Sequence, residues 1–174
     1  NLAANGMVTI PNTATLDWQA GSIFGNGLSN SGILTISAAA DVGLAGTLTN
    51  SGTINHTGAG NLVVSGGLNN QAAGTYDFET DADITGNNRI GNAGTIKKTF
   101  GSGESRIGPL ANSDFNLNNL GGTIEARTGT IKLDQLRGTN TGATWNAFFG
   151  AILDIVGHPS FPASYAGNYS GSGG

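Results

Sequence analysis

Apolar and polar residues alternate along most of the chain in short runs, and these runs recur at a fixed spacing. Examples are LSNSGIL from Leu28, LTNSGTI from Leu48 and IGNAGTI from Ile90. Period-2 alternation predicts short β-strands, and the Gly, Asn and Ser residues between the runs predict turns. No longer window carries a helical 3.6-residue period, so we expect no substantial helix.

The strand runs belong to a repeat whose five cores start 20, 20, 22 and 27 residues apart. Strands of a sandwich or barrel each have a distinct place, whereas strands one period apart here are alike. We therefore predict an all-β fold, a right-handed parallel β-helix (β-solenoid) of about eight coils of roughly 20–22 residues. It would form one domain over residues 1–174, with irregular end coils at about 1–27 and 128–174.

Each repeat position predicts a ladder of like residues stacked from coil to coil. Two aliphatic positions are expected to point inward, an Asn at the bend to hydrogen-bond the neighbouring coil's backbone, and a Gly to supply positive φ at the corner. The predicted ladders are Leu28, Leu48, Leu68, Ile90 and Leu117; Leu34, Ile54, Tyr76, Ile96 and Ile124; Asn30, Asn50, Asn70, Asn92 and Asn119; and Gly32, Gly52, Gly74, Gly94 and Gly122.

Composition narrows the function classes. The absence of Cys excludes a disulfide framework and a thiolate metal site. The net charge of −4 argues against nucleic-acid binding, and no apolar stretch is long enough for membrane insertion. Residues 1–88 contain no Lys or Arg, and all seven basic residues lie between Arg89 and Arg137. The chain shows no signal peptide, so we expect a processed protein or a piece of a longer one.

The repeat residues carry a family resemblance. LTNSGTINHTGAGNLVVSGGLNNQAAGTYDF and NNLGGTIEARTGTIKL resemble the β-helical repeat regions of bacterial extracellular proteins, such as autotransporter passengers and filamentous-haemagglutinin-like adhesins. The resemblance covers nearly the whole chain. It implies an extracellular or cell-surface location and a non-enzymatic role as stalk, adhesive surface or filament subunit. It brings no catalytic motif with it, and we expect no cofactor.

The segment YDFETDAD is the strongest candidate for a metal site. Period-2 alternation would place Asp77, Glu79, Asp81 and Asp83 on one outer strand face, with Phe78 inward. Hard cations such as Ca²⁺ bind several such oxygens, but same-face residues of an extended strand lie about 7 Å apart. A weak Ca²⁺ site and a solvated strand face are therefore both open.

Two alternatives to a purely structural role follow from other side chains. Glycan binding could use Trp18, Trp145, Phe148 and Phe149, of which we expect the two Trp to be buried and the Phe pair to face opposite ways. It could also use a basic flank formed by Arg89, Lys97, Lys98, Arg106, Arg127, Lys132 and Arg137. The second alternative is a polysaccharide-degrading β-helix enzyme using paired carboxylates.

Other candidate chemistry is weaker. His56 and His158 lie about a hundred residues apart and no G-x-S-x-G motif is present, so a Ser–His–Asp triad is not indicated. Thr47, Thr49, Thr53 and Thr57 do not indicate an ice-binding face, because we expect the matching positions of other coils to hold Ser, Asn, Lys or Glu.

The ends of the repeat array suggest partners. We expect neither end to carry a capping helix, so the terminal coils would expose unpaired strand edges. Such edges predict stacking on further copies of the chain, head to tail, or on the rest of a longer surface protein.

Overall fold

A computed structural model describes residues 2–4, 6–110, 115–157 and 164–172, and it confirms an all-β parallel solenoid. Within these ranges every regular element is a strand and no helix occurs. The strands are β1 (Leu2–Ala4), β2 (Val8–Ile10), β3 (Thr15–Trp18), β4 (Ser22–Gly25), β5 (Leu28–Asn30), β6 (Ile33–Ile36), β7 (Val42–Leu44), β8 (Thr47–Asn50), β9 (Thr53–His56), β10 (Leu62–Val64), β11 (Gly67–Asn70), β12 (Thr75–Phe78), β13 (Ile84–Gly86), β14 (Arg89–Asn92), β15 (Thr95–Lys98), β16 (Glu104–Pro109), β17 (Asn116–Asn119), β18 (Thr123–Ala126), β19 (Thr130–Leu136), β20 (Thr139–Ala147), β21 (Ile152–Gly157) and β22 (Ser164–Gly171).

The strands form three parallel sheets that run the length of the solenoid. Sheet 1 has the order β1-β4-β7-β10-β13-β16-β19-β21, sheet 2 the order β17-β14-β11-β8-β5-β2, and sheet 3 the order β22-β20-β18-β15-β12-β9-β6-β3. The regular coils thus give one strand to each sheet, and a strand pairs with the strand three places further along. The described strands make about seven coils, one fewer than predicted. The last coils are longer, since Asn146 and Ser170, which bond across one coil boundary, are 24 residues apart.

The two predicted aliphatic ladders are confirmed. Leu48 pairs in register with Leu28 on one side and Leu68 on the other, and the ladder continues through Ile90 to Leu117. The second ladder pairs Leu34, Ile54, Tyr76, Ile96 and Ile124 in the same way. All ten side chains are completely buried. Apolar burial in a parallel sheet therefore sets the register, because a slip of one residue would turn each ladder outward.

The predicted Asn ladder is also confirmed, and it lies inside the solenoid. The side-chain amide of each Asn donates to the amide oxygen of the next one, through Asn30, Asn50, Asn70, Asn92 and Asn119, at 2.7–2.8 Å. The same nitrogens also donate to the backbone carbonyls of Thr53, Thr75, Thr95 and Thr123 at 3.0–3.3 Å. These bonds satisfy buried amides that would otherwise be costly.

The prediction that the repeat glycines supply positive φ is wrong. Gly32, Gly52, Gly74, Gly94 and Gly122 are not among the positive-φ glycines. A Cβ at Gly52 would lie 2.2 Å from the carbonyl oxygen of Gly32, and one at Gly94 would lie 2.2 Å from that of Gly74. The repeat needs glycine here because the backbones of successive turns approach too closely for any side chain.

Irregular pairing is found in the C-terminal part. The register shifts between Asp134 and Leu136 where β19 meets β21, and between Asn140 and Ala143 where β20 meets β22. At the other end β2 and β3 pair with β5 and β6 without a shift. The described residues 6–27 therefore already follow the repeat geometry, although their sequence shows it weakly.

Candidate binding cleft

The acidic segment does not form one outer strand face. Strand β12 ends at Phe78, so the period-2 pattern stops there and residues 79–83 turn the corner towards sheet 1. Asp77 is buried, and its carboxylate lies 3.1 Å from Lys97 Nζ and accepts a 2.7 Å hydrogen bond from Thr99. Asp77 thus binds the next coil rather than sharing an ion with its neighbours in sequence.

Asp81 and Asp83 also bind the following coil. Asp81 Oδ1 accepts hydrogen bonds from Lys98 Nζ at 2.7 Å and from the Gly103 amide at 3.1 Å. Asp83 Oδ1 accepts from the Arg106 amide at 2.7 Å. Asp41 and Asn61 hold equivalent amides one and two coils earlier, so Asp83 continues a row of side-chain acceptors at this corner.

The predicted convergence of Asp77, Glu79, Asp81 and Asp83 is therefore a correction to make. The described residues contain no group of three or more His, Cys, Asp or Glu side chains that could hold a metal ion. The physical reason is the corner, which splits the segment and directs its carboxylates to separate bases of the next coil.

Lys98 lies in the core, although the sequence placed it on a basic flank. Its side chain is completely buried, and Nζ donates to the Thr80 carbonyl at 2.6 Å, to Asp81, and to Ser105 Oγ at 3.0 Å. Three acceptors compensate the buried ammonium group. The hydrogen bond from Lys98 lowers the pKa of the Asp81 carboxyl.

The other basic residues do not line an open flank either. Arg106 Nη1 lies 3.0 Å from Asp134, and Arg127 Nη2 lies 2.7 Å from Glu125. Lys132 Nζ lies 3.8 Å from Glu104. With Lys97 and Lys98, five of the seven bases thus face carboxylates, and the positive charge is largely neutralised where it stands.

A second polar cluster lies wholly within the core. His56 Nε2 lies 2.8 Å from the Gly60 carbonyl oxygen, which can only accept, so Nε2 carries the proton. Nδ1 then accepts from the Tyr76 hydroxyl at 2.8 Å, and the imidazole stacks on Phe78. Burial lowers the pKa of His56 and raises the pKa of Tyr76 well above its usual value. His158 lies outside the described residues.

The aromatic predictions are half right. Trp18 and Trp145 are buried, and the Trp145 ring packs on those of Tyr165 and Tyr169. The predicted split of the Phe pair is wrong, because Phe148 is 42% and Phe149 78% exposed. Strand β20 ends at Ala147, so the alternation of faces does not extend to these two residues.

Phe149 borders a cleft of about 630 Å³ at the corner between sheets 3 and 1. The corners of three successive coils line it, together with Asp81 from the coil before. The lining residues are Asp81, Phe100, Gly101, Ser102, Arg127, Thr128, Gly129, Phe149 and Gly150. The sequence hypotheses did not include Phe100 or the cleft; the signal for it is an aromatic residue followed by glycine at two corners, FGSG and FFGA.

A threonine column on the outer face of sheet 3 was also missed. Strand pairing aligns Thr53, Thr75, Thr95, Thr123 and Thr144 in register. The expectation that the positions matching Thr53 hold other residues is wrong for these coils. The adjacent outward column carries Asp77, Lys97 and Glu125, so the face is not uniformly threonine. The column is explained by favourable cross-strand Thr pairs.

No helix in the described part of the chain is long and apolar enough to cross a membrane. Comparison with protein-family models, with curated proteins and with solved structures found no match. The resemblance to autotransporter passengers and haemagglutinin-like adhesins therefore stays a prediction that rests on the repeat residues alone. The fold itself is a parallel β-solenoid repeat.

Proposed function

We propose that the chain is a non-enzymatic structural segment of a bacterial cell exterior, a rigid solenoid that sets a distance as a stalk or filament subunit. The observation that carries the proposal is the unbroken Asn amide ladder, in which each coil bonds to the next in the same way from Asn30 to Asn119. Such stacking makes length proportional to the number of coils.

The arrangement of charges supports a structural role. Asp77, Asp81 and Asp83 each bond to groups of the following coil, so they hold adjacent coils together. Catalytic pairs of carboxylates instead face a shared space that admits a substrate. These contacts favour the structural role over the polysaccharide-degrading alternative.

The proposed setting and partners come from the repeat resemblance and the solenoid geometry. An extracellular location agrees with the cysteine-free, low-charge repeats. The proposed partner is a further copy of the chain or the rest of a longer surface protein, stacked coil on coil. Negative-stain electron microscopy in low and high salt tests self-stacking: threads support it, and single rods in both conditions point to the longer protein.

The distance-setting role is tested with spin labels, because the chain has no native Cys. Thr35→Cys and Asn146→Cys place labels in one outward column of sheet 3, five strand spacings apart. We expect a narrow distance distribution centred at about 24 Å. Duplication of residues 48–67, one whole coil, should shift the centre to about 29 Å without broadening it.

The matched control inserts twenty Gly and Ser residues at the same point. A flexible insert should bulge from the corner and leave the distance near 24 Å. A broad distribution in the parent protein, or no shift on coil duplication, would contradict the rod. Release of reducing ends from a panel of polysaccharides, with or without Ca²⁺, would contradict the non-enzymatic assignment.

A further inference from the structure

The corner cleft offers recognition groups that the rod does not require. Phe100 and Phe149 are 70% and 78% exposed, although burial is the usual state of Phe. Lys98 pairs with Ala126 and Ala126 with Ala147, so the two Phe occupy equivalent corner positions two coils apart. Their separation along the solenoid is about 10 Å, with Thr128 of the middle coil between them.

Polar groups stand beside these rings. The side chains of Asp81 and Arg127 are 48% and 47% exposed, and Ser102 is exposed between them and the rings. The Arg127 guanidinium lies 5.0 Å from the centre of the Phe148 ring, which restricts its orientation. The cleft thus combines flat apolar faces with hydrogen-bond donors and acceptors on well-anchored corners.

The backbone of the cleft is already committed. The amides of Phe100, Arg127 and Phe148 donate to carbonyls of the preceding coil, and those of Thr130 and Ile152 do the same. An extended peptide could therefore not add itself as a strand here. A ligand must be recognised by rings, hydroxyl, guanidinium and carboxylate groups.

The charges of the cleft are balanced. Asp81 is paired with Lys98, and Arg127 is paired with Glu125. An acidic polysaccharide or a nucleic acid would gain little attraction there, and each would face the two carboxylates. A ligand with apolar ring faces and many neutral hydroxyl groups matches both the rings and the balanced charges.

We propose that this cleft binds a neutral hexose oligosaccharide, which stacks on Phe100 and Phe149 and hydrogen-bonds to Asp81 and Arg127. The site gives the solenoid a lateral attachment point that is independent of its length. Neutral hexose chains present apolar C–H faces on both sides of each ring and hydroxyl groups at the ring edges. Stacking on two separated aromatic rings fits a chain of several units rather than a single sugar.

The test is isothermal titration of the 174-residue protein with hexasaccharides of β-1,4-glucose, α-1,4-glucose and β-1,4-mannose. We expect at least one to bind with a Kd of about 1 mM or below. Phe100→Ala and Phe149→Ala should each weaken that binding on the order of tenfold. Phe24→Ala is the matched control, since Phe24 is also exposed but lies on sheet 1 away from the cleft.

Thermal unfolding of the same variants separates binding from folding. Both cleft Phe side chains are exposed, so their replacement should leave the melting temperature close to that of the parent. The proposal is overturned if no hexasaccharide binds at about 5 mM. It is also overturned if binding survives in both Phe variants, or if only charged oligosaccharides or peptides bind.

Discussion

At the scale of single residues, the core accepts polar side chains where a nearby group supplies their hydrogen bonds. His56 is completely buried as a neutral imidazole, bonded to Tyr76 and to the Gly60 carbonyl. Lys98 is buried with three acceptors around one ammonium group. Each of these residues depends on geometry that a neighbouring turn provides, so each reports on local packing.

His56 makes stability depend on pH. Burial holds its pKa below the ordinary value of 6.5, so the unfolded chain binds a proton at higher pH than the folded one. The stabilisation is complete above a pH of about 6.5 and is lost as the pH falls through the lowered pKa of the folded state. We expect the free energy of unfolding in urea to decrease from pH 8 to pH 5.

The comparison is made in a His158→Gln background, so that His56 is the only titrating imidazole. His56→Leu should flatten the pH dependence between pH 7 and pH 5, even though it removes two hydrogen bonds and lowers stability at pH 8. An equally steep decrease in the Leu variant would assign the effect to other groups.

The repeat glycines give a steric prediction. A Cβ at Gly94 would lie 2.2 Å from the Gly74 carbonyl oxygen and 2.3 Å from that of Gln71. We expect Gly94→Ala to lower the free energy of unfolding by about 3 kcal/mol, because backbone of two turns would have to separate. The measurement is chemical unfolding followed by circular dichroism.

Gly67 supplies the matched control. The nearest atom to a Cβ there is Thr47 Oγ1 at 4.0 Å, which is ordinary contact. Gly67→Ala should change stability by no more than about 0.5 kcal/mol. Equal losses in the two variants would show that loss of glycine, rather than the close approach of the turns, is responsible.

At the scale of the element, the ladder is the unit that joins coils. Asn70 receives a hydrogen bond from Asn50 and donates to Asn92 Oδ1 at 2.8 Å and to the Thr95 carbonyl at 3.1 Å. Removal of this amide breaks contacts on both sides and leaves buried polar atoms without partners. A ladder residue therefore matters to two coil boundaries at once.

We expect Asn70→Ala to lower the free energy of unfolding by about 3 kcal/mol, measured by urea denaturation. Asn69→Ala is the control, because Asn69 precedes it on the same strand but faces outward, and its effect should stay within about 0.5 kcal/mol. If Asn69→Ala were as damaging as Asn70→Ala, the buried ladder would not be the source of coil cohesion.

The sequence predicted the ladders but not the corners. Period and alternation identify the inward residues of Leu48 and Ile54 type, because apolar burial acts at every repeat. Alternation fails where a strand ends, as at Phe78 and Ala147, and the strand ends depend on contacts with adjacent coils. The paired acids, the two exposed Phe and the cleft all lie at such corners. Lys98 was missed because the sequence does not show that its three acceptors surround it.

At the scale of the whole molecule, blocks of opposite charge meet across a coil boundary. The acids at 77–83 come from a stretch without bases, and the bases at 97–106 follow one coil later. Because one coil is about twenty residues, the two blocks are in register and form ion pairs such as Asp77–Lys97. The sequence asymmetry is therefore largely neutralised inside one segment of the solenoid, and it gives only weak support for end-to-end attraction.

The amide ladder also gives the molecule a sense of direction. Every side-chain nitrogen from Asn30 to Asn92 donates towards the C-terminal coils, and the Thr carbonyls fix this orientation because they can only accept. Aligned amides polarise one another, so the row acts as a small one-way dipole through the interior. Two such solenoids could prolong the row only nose to tail; placed nose to nose, donor would oppose donor. The interior thus encodes an arrow, which the outer surface does not reveal.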